Sequence, residues 1–322
     1  MMPYSFYQAV EADFSAVNKL IQESLTSNIP LVEEIATYLI NAGGKRLRPL
    51  LVLLSARACG YQGSNHIKLA VIIEFLHTAM LLHDDVVDTS ELRRGRKTAN
   101  AQWGNAASVL VGDFLHSRAF EMMVEIGDMK IMSLLSKATN GIAEGEVQQL
   151  INLKNIEITE TVYRQVIYRK TALLFEVAAH TAAVLANAAD KKQQALRQLG
   201  SNLGIAFQLT DDLLDYEGST SDLGKNVGDD LAEGKVTLPL IVALRNGNDA
   251  QQGLIKEAIV NGGSPEMAAV LDAVRDTGGI SYTAEQAELE KDGALHCLQE
   301  IPPSTYRQAI TDLVQFSVDR RN

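Results

Sequence analysis

The sequence predicts an all-α protein folded as a single domain. Three observations carry that reading. Apolar residues recur at three- and four-residue steps through six long stretches, and runs that alternate with period two are hard to find. The 322 residues contain 46% hydrophobic residues, enough for one large core. There is no low-complexity linker and no short-period repeat at which to divide the chain.

The elements follow in order. "FYQAVEADFSAVNKLIQESL" predicts a first helix over 6–25. Gly43-Gly44 breaks the chain, and Pro49 opens "LLVLLSARAC", since proline's fixed φ suits a helix start. The longest apolar region, 69–83, is interrupted by Glu74 and His77, short of the ~18 clean apolar residues of a membrane span. Helical periodicity continues over 105–126, 130–151, 160–188 and 192–217. Pro239 opens "LIVAL", glycine pairs at 262–263 and 278–279 mark breaks, and Pro302-Pro303 precede a last helix over 304–318.

Composition excludes several functions. The formal net charge of −11 repels nucleic acid and anionic membranes, so a phosphate ligand needs a local basic pocket. Cys59 and Cys297 lie outside any CxxC pattern and in apolar surroundings, as buried thiols of a cytoplasmic protein do. The first twenty residues carry acids early and read as no signal peptide.

One motif recurs. "LLHDDVVD" at 81–88 returns as "QLTDDLLD" at 208–215, each a D-D-x-x-D closing an apolar helix. Positions i and i+4 share a helix face, so Asp84 stacks on Asp88 and Asp211 on Asp215, with Asp85 and Asp212 roughly 100° around the axis. Carboxylates near a helix C-terminus oppose the macrodipole and call for cations. A single such turn is about as often a solvated helix end. Two of them, flanked by Leu81, Leu82, Val86, Val87 and by Leu209, Leu213, Leu214, argue for metal ligands. Hard oxygen donors without His or Cys select Mg²⁺, which bridges carboxylate to substrate phosphate.

Basic residues complete the pattern. They are Lys45, Arg46 and Arg48 in "GGKRLRP", the arginines of "RRGR" at 93–96, Arg169 and Lys170 in "YRKT", and Lys225 and Lys235 in "LGKNVGDDLAEGKVT". Each alone reads as surface charge. Together they offer anion contact directly and through metal, as two phosphorylated substrates require. There is no GxxxxGK[ST] and no GxGxxG opening a βα unit. Glu74-x-x-His77 matches half of a di-iron pattern, but no second copy exists; His77 alone reads as a core histidine, and Trp103 as packing.

In this order the five motifs resemble the trans-prenyltransferases, the polyprenyl diphosphate synthases, over residues 40–240. The resemblance implies an isoprenoid-synthase helical bundle around a central active-site cavity, in which an allylic diphosphate, such as farnesyl, ionises and isopentenyl diphosphate attacks the cation. It implies that Asp84, Asp85, Asp88, Asp211, Asp212 and Asp215 bind three Mg²⁺ ions on the allylic diphosphate. Lys45, Arg48, His77 and Arg94 match positions that hold isopentenyl diphosphate. Arg93, Lys170, Lys225 and Lys235 match those that touch the allylic diphosphate, and Lys170, Thr171 and Gln208 form the implied catalytic set. Val236 stands where relatives usually have Pro.

The resemblance also implies a homodimer, with the helix over 105–126 as its candidate interface, and transient membrane contact for release of an insoluble product. Ala79 and Met80, one turn before Asp84, occupy positions where short-chain relatives place aromatic rings. That argues for a product longer than farnesyl, and the resemblance points to octaprenyl, the ubiquinone side chain. Phe114, Phe120 and Met123 remain alternative tunnel floors. A shorter, geranylgeranyl-type product is an alternative. A non-catalytic subunit of a heteromeric synthase usually lacks one aspartate motif, and a terpene cyclase needs no second diphosphate site.

Overall fold

The computed structural model describes residues 4–41, 43–93, 95–217, 228–263 and 267–319. Among these the strands are limited to an antiparallel pair, β1 (Leu92–Arg93) and β2 (Arg96–Lys97), with Leu92 opposite Lys97. All other regular structure is helical, as the periodicity predicts. The chain forms two compact units that interleave in sequence: Met1–Thr139, Leu174–Gly200 and Cys297–Leu313 make one, and Asn140–Leu173, Ser201–His296 and Val314–Asn322 the other.

The first unit contains α1 (Ser5–Gln8), α2 (Glu11–Ser24), α3 (Pro30–Asn41), α4 (Leu47–Ala58), α5 (Asn65–Val87), α6 (Ala99–Trp103) and α7 (Asn105–Ile126). Its centre is α5, which packs on α7, α4 and α2. Leu69, Ile72, Ile73, Phe75 and Leu76 are fully buried there, each contributing about 1.5–3 kcal/mol. Such a helix can carry a repulsive polar turn at its end because the remainder is so firmly buried. Arg57 of α4 grips Asp13 of α2 bidentately, both bonds 2.7 Å, and Ser108 of α7 donates to the Leu82 carbonyl at 2.9 Å. The predicted helix over 6–25 is divided: Val10 leaves the helical region at φ −132°. With that bend Tyr7 packs edge-on against Phe14 and donates to the Lys45 carbonyl.

α8 (Met129–Ile151) begins in the first unit and enters the second at Asn140. The predicted helix over 160–188 becomes three pieces: α9 (Glu160–Ile167), a π-helical turn (Tyr168–Ala172) and α10 (Leu173–Leu185). α11 (Asp190–Glu217) starts two residues before its predicted position, and α7 matches 105–126. The core of the second unit gathers Leu209, Leu231, Leu238, Leu240, Ile255 and Val270, all fully buried. Pro239 lies in the first turn of the helix Leu238–Asn246. Gly262 and Gly263 end the preceding helical run in the left-handed region, at φ +70° and +108°. Among the described residues no helix is long and apolar enough to cross a membrane.

Candidate active site

In the first unit the site begins where α5 stops. Asp88 caps the helix, its N–H donating to the Asp84 carbonyl at 2.8 Å, and Thr89 follows in the left-handed region. Asp84 and Asp88 are half-buried and Asp85 fully buried. Asp85 Oδ1 accepts from Arg93 at 2.8 Å (Nε) and 2.7 Å (Nη2). Its Oδ2 is buried with no hydrogen bond among the described residues.

The β1–β2 hairpin delivers Arg93. Tyr38 of α3 anchors that hairpin by donating to the Lys97 carbonyl at 2.9 Å while packing edge-on against Trp103. Asn100 Nδ2 donates to the carbonyls of Asp85 (3.1 Å) and Ser90 (3.2 Å), tying the hairpin to the aspartate turn. Trp103 is packing, as the sequence suggests. Periodicity could not show the hairpin, because strands of two residues have no period.

At the start of α4 the three cations of "GGKRLRP" separate by direction. Arg46 sits at the N-cap with φ +43° and turns inward to Asn18, the Ile40 carbonyl (3.2 Å) and Glu74 (3.7 Å). Lys45 is exposed. Arg48 Nη1 donates to His77 Nε2 at 3.2 Å and stacks on the Phe175 ring, 4.3 Å from its centroid. His77 therefore accepts on Nε2 and carries its proton on Nδ1, leaving Arg48 and His77 as one polar pair.

In the second unit the π-helical turn carries Lys170 and Thr171. Lys170 Nζ meets Glu146 of α8 at 2.7 Å. Thr171 Oγ1 donates to Gln208 Oε1 (2.8 Å), and Gln208 Nε2 donates to Asp212 Oδ1 (2.8 Å). Tyr163 donates to the other oxygen, Asp212 Oδ2. Both oxygens of Asp212 are thus occupied by side chains. Burial, with the nearby Asp230 carboxylate, pushes Asp212 well above the usual carboxylate range, and burial does the same to Tyr163. Asp211 and Asp215 are half-buried, and Asp215 accepts from the Asp230 N–H at 3.3 Å.

Lys235 follows Gly234, whose φ is +81° and whose carbonyl accepts from Lys154 N–H at 2.7 Å. Its ammonium meets Glu233 at 2.5 Å. Lys170, Thr171, Gln208, Asp212 and Lys235 line one pocket of about 110 Å³ over an apolar floor that includes Val166 and Ile167. Arg94 and Lys225 lie outside the described residues.

A polyprenyl synthetase family model matches residues 29–276, more than half of the chain and every candidate site residue. The chain belongs to the polyprenyl synthetase family. An octaprenyl diphosphate synthase of Haemophilus influenzae is 50% identical over 311 residues, covering 96% of this chain and 94% of its own. A geranyl-diphosphate-specific all-trans-nonaprenyl-diphosphate synthase of Rhodobacter capsulatus is 46% identical, covering 97% and 96%. The crystal structure of a polyprenyl synthase from Caulobacter crescentus CB15, complexed with calcium and isoprenyl diphosphate, superposes with a TM-score of 0.94 at 43% identity, covering 99% and 98%.

Within this polyprenyl synthetase, sequence reasoning missed three site residues: Glu146, Tyr163 and Asp230. Asp230 lies in "GDDLAEGK", where the lysines carry the stronger anion-binding signal. Glu146 and Tyr163 had no local signal, since their partners are 24 and 49 residues away.

Proposed function

We propose that this polyprenyl synthetase extends an allylic diphosphate, such as farnesyl, with isopentenyl diphosphate to give octaprenyl diphosphate, acting as one catalytic domain in the cytoplasm. The observation that carries it is the Lys170–Thr171–Gln208–Asp212 arrangement, because it sets one cation beside a run of oriented polar groups at a pocket with an apolar floor. Such a pocket suits a diphosphate ester that ionises to an allylic cation. The relatives' names support the product assignment.

The donor chemistry fits Mg²⁺. Among the described residues no three of His, Cys, Asp or Glu converge into a metal centre complete in protein ligands. Paired carboxylates on one helical turn instead suit an ion that keeps waters and takes its remaining oxygens from phosphate. The buried Asp85 Oδ2, which has no hydrogen bond among the described residues, gives the first turn a further oxygen. Asp84, Asp85, Asp88, Asp211, Asp212 and Asp215 would hold the metal, three ions in the fullest form of the proposal. When bound, Mg²⁺ would neutralise charge developing on the departing diphosphate.

The protein's own groups do the rest. Lys45 and the Arg48–His77 pair hold isopentenyl diphosphate. Arg93, Lys170 and Lys235 take charge on the allylic diphosphate as its bond to carbon lengthens. Thr171 and Gln208 offer oxygen dipoles to the cation, Gln208 being oriented by Asp212. Asp212 also orients Gln208, and each of its oxygens keeps a lone pair beyond those that Tyr163 and Gln208 use. Arg94 and Lys225 join these sets by resemblance, as does a homodimer through α7.

The test is incubation with farnesyl diphosphate, isopentenyl diphosphate and Mg²⁺, followed by mass analysis of the products. Octaprenyl diphosphate as the main product is expected. No condensation, or arrest at geranylgeranyl diphosphate, overturns the reading.

A further inference from the structure

We propose that Gly145 of α8 and Gly204 of α11 are positioning residues that set the Tyr168–Ala172 turn, and with it Lys170 and Thr171, at the distance the diphosphate ester requires. The inference rests on the reading of Lys170 and Thr171 as diphosphate-handling groups.

A π-helical turn lacks the regular bonding of its neighbours and persists where its surroundings hold it. Here two helices press on its backbone. A Cβ at Gly145 would lie 2.6 Å from Arg169 Cβ and 3.0 Å from Lys170 N. A Cβ at Gly204 would lie 2.4 Å from Ala172 Cα and 2.8 Å from its Cβ. These are main-chain and Cβ atoms, which cannot swing aside. The same helices supply the side-chain partners. Glu146, beside Gly145, holds the Lys170 ammonium, and Gln208, one turn beyond Gly204, accepts from Thr171. Each helix thus fixes the turn twice, by backbone contact and by a polar group.

A methyl at Gly204 would need the turn to retreat by about 1 Å to reach ordinary contact, a displacement that can reduce turnover about 100-fold. Two other glycines serve as controls. A Cβ at Gly141 meets just the Leu173 Cδ2 methyl at 2.9 Å, and that side chain can rotate away. A Cβ at Gly200 would strike the Phe175 carbonyl at 2.4 Å and the Glu176 Cα at 2.7 Å, a hard collision with α10 rather than with the turn.

Gly145→Ala, Gly204→Ala, Gly141→Ala and Gly200→Ala would be compared by steady-state kinetics, thermal melting and calorimetric titration with inorganic diphosphate in Mg²⁺. For G145A and G204A, kcat should fall about 10- to 100-fold and diphosphate affinity about tenfold, with the isopentenyl diphosphate KM within about twofold of wild type. G141A should match wild type. G200A should melt lower and keep its diphosphate affinity. G145A and G204A that keep wild-type kcat and diphosphate affinity overturn the inference, and so does a G200A that loses affinity as far as they do. If G204A does not fold, G145A decides, because its nearest main-chain atom is 3.0 Å away rather than 2.4 Å. A wild-type protein that does not bind diphosphate overturns the functional reading and this inference together. One that binds it, with both variants unaffected, overturns this inference alone.

Discussion

Asp84 and Asp212 carry the same motif letter and differ in every physical respect. Asp84 is half-buried on the face of α5 that it shares with Asp88. Asp212 is buried, with Tyr163 on one oxygen and Gln208 on the other. Asp84→Ala should therefore lower kcat by about 100-fold or more while leaving the melting temperature near wild type, as removal of a transition-state interaction does. Near-normal turnover in Mg²⁺ would sink the assignment. Tyr163→Phe removes a donor to a buried oxygen of Asp212, and leaving a buried acceptor unsatisfied costs about 1–3 kcal/mol, so this variant should lose stability by that order in denaturant titration. An unchanged midpoint would show that Asp212 finds another donor. The sequence made the aspartates legible, since the letters and the i, i+4 spacing suffice to group them. It could not show how Asp212 is held, because that depends on Tyr163, whose identity carries no signal until the fold brings it to Asp212.

Regular helices were legible wherever one face is apolar over many turns, and α7 matches its predicted range. Two elements were not, and both bear site residues. A π-helical turn inserts one residue into a periodicity that otherwise continues, so "YRKT" reads as mid-helix. The β1–β2 hairpin is too short for alternation to appear. Thr98 adds to the anchoring by Tyr38 and Asn100: it accepts from Ala101 N–H at 3.4 Å to cap α6 and donates to the Ser90 carbonyl at 2.6 Å. Thr98→Ala should cost about 1 kcal/mol from the cap. It should also loosen Arg93, raising the KM for the allylic substrate; an unchanged KM with the stability loss would confine Thr98 to the cap. α10 makes a pH prediction. Burial, aided by the Arg197 guanidinium, lowers the His180 pKa, and burial likewise lowers His66 and His116. The unfolded chain then binds more protons than the folded one below pH about 6.5, so stability is complete above that pH and declines as pH falls through it. Thermal melts between about pH 8 and 5.5 should show this decline, and His180→Leu should reduce it; an identical slope in the variant removes His180 from the account.

At the scale of the whole molecule, product length cannot come from the fold. Relatives named for eight- and nine-unit products align along nearly all of this chain at similar identity. A few side chains must therefore decide where the growing tail stops. Ala79 and Met80 are the candidates the sequence offers, and they differ in helix face and in burial. At roughly 100° per residue, Met80 lies about 40° from Asp84 around α5, whereas Ala79 lies about 140° away. Met80 is half-buried on the face shared with His77 and Asp84; Ala79 is 2% exposed. On this helix geometry a tail leaving the aspartate turn would meet the Met80 face first. Met80→Tyr should shorten the main product by several isoprene units while the protein melts near wild type, because the ring fills space instead of displacing packed atoms. Ala79→Tyr should also shorten it, but with overpacking of about 1–3 kcal/mol lost in stability. Chromatography of the chains made from farnesyl diphosphate, set beside melting curves, distinguishes the two. If Met80→Tyr leaves chain length unchanged while Ala79→Tyr shortens it, the tail leaves along the Ala79 side and not along the Met80 face.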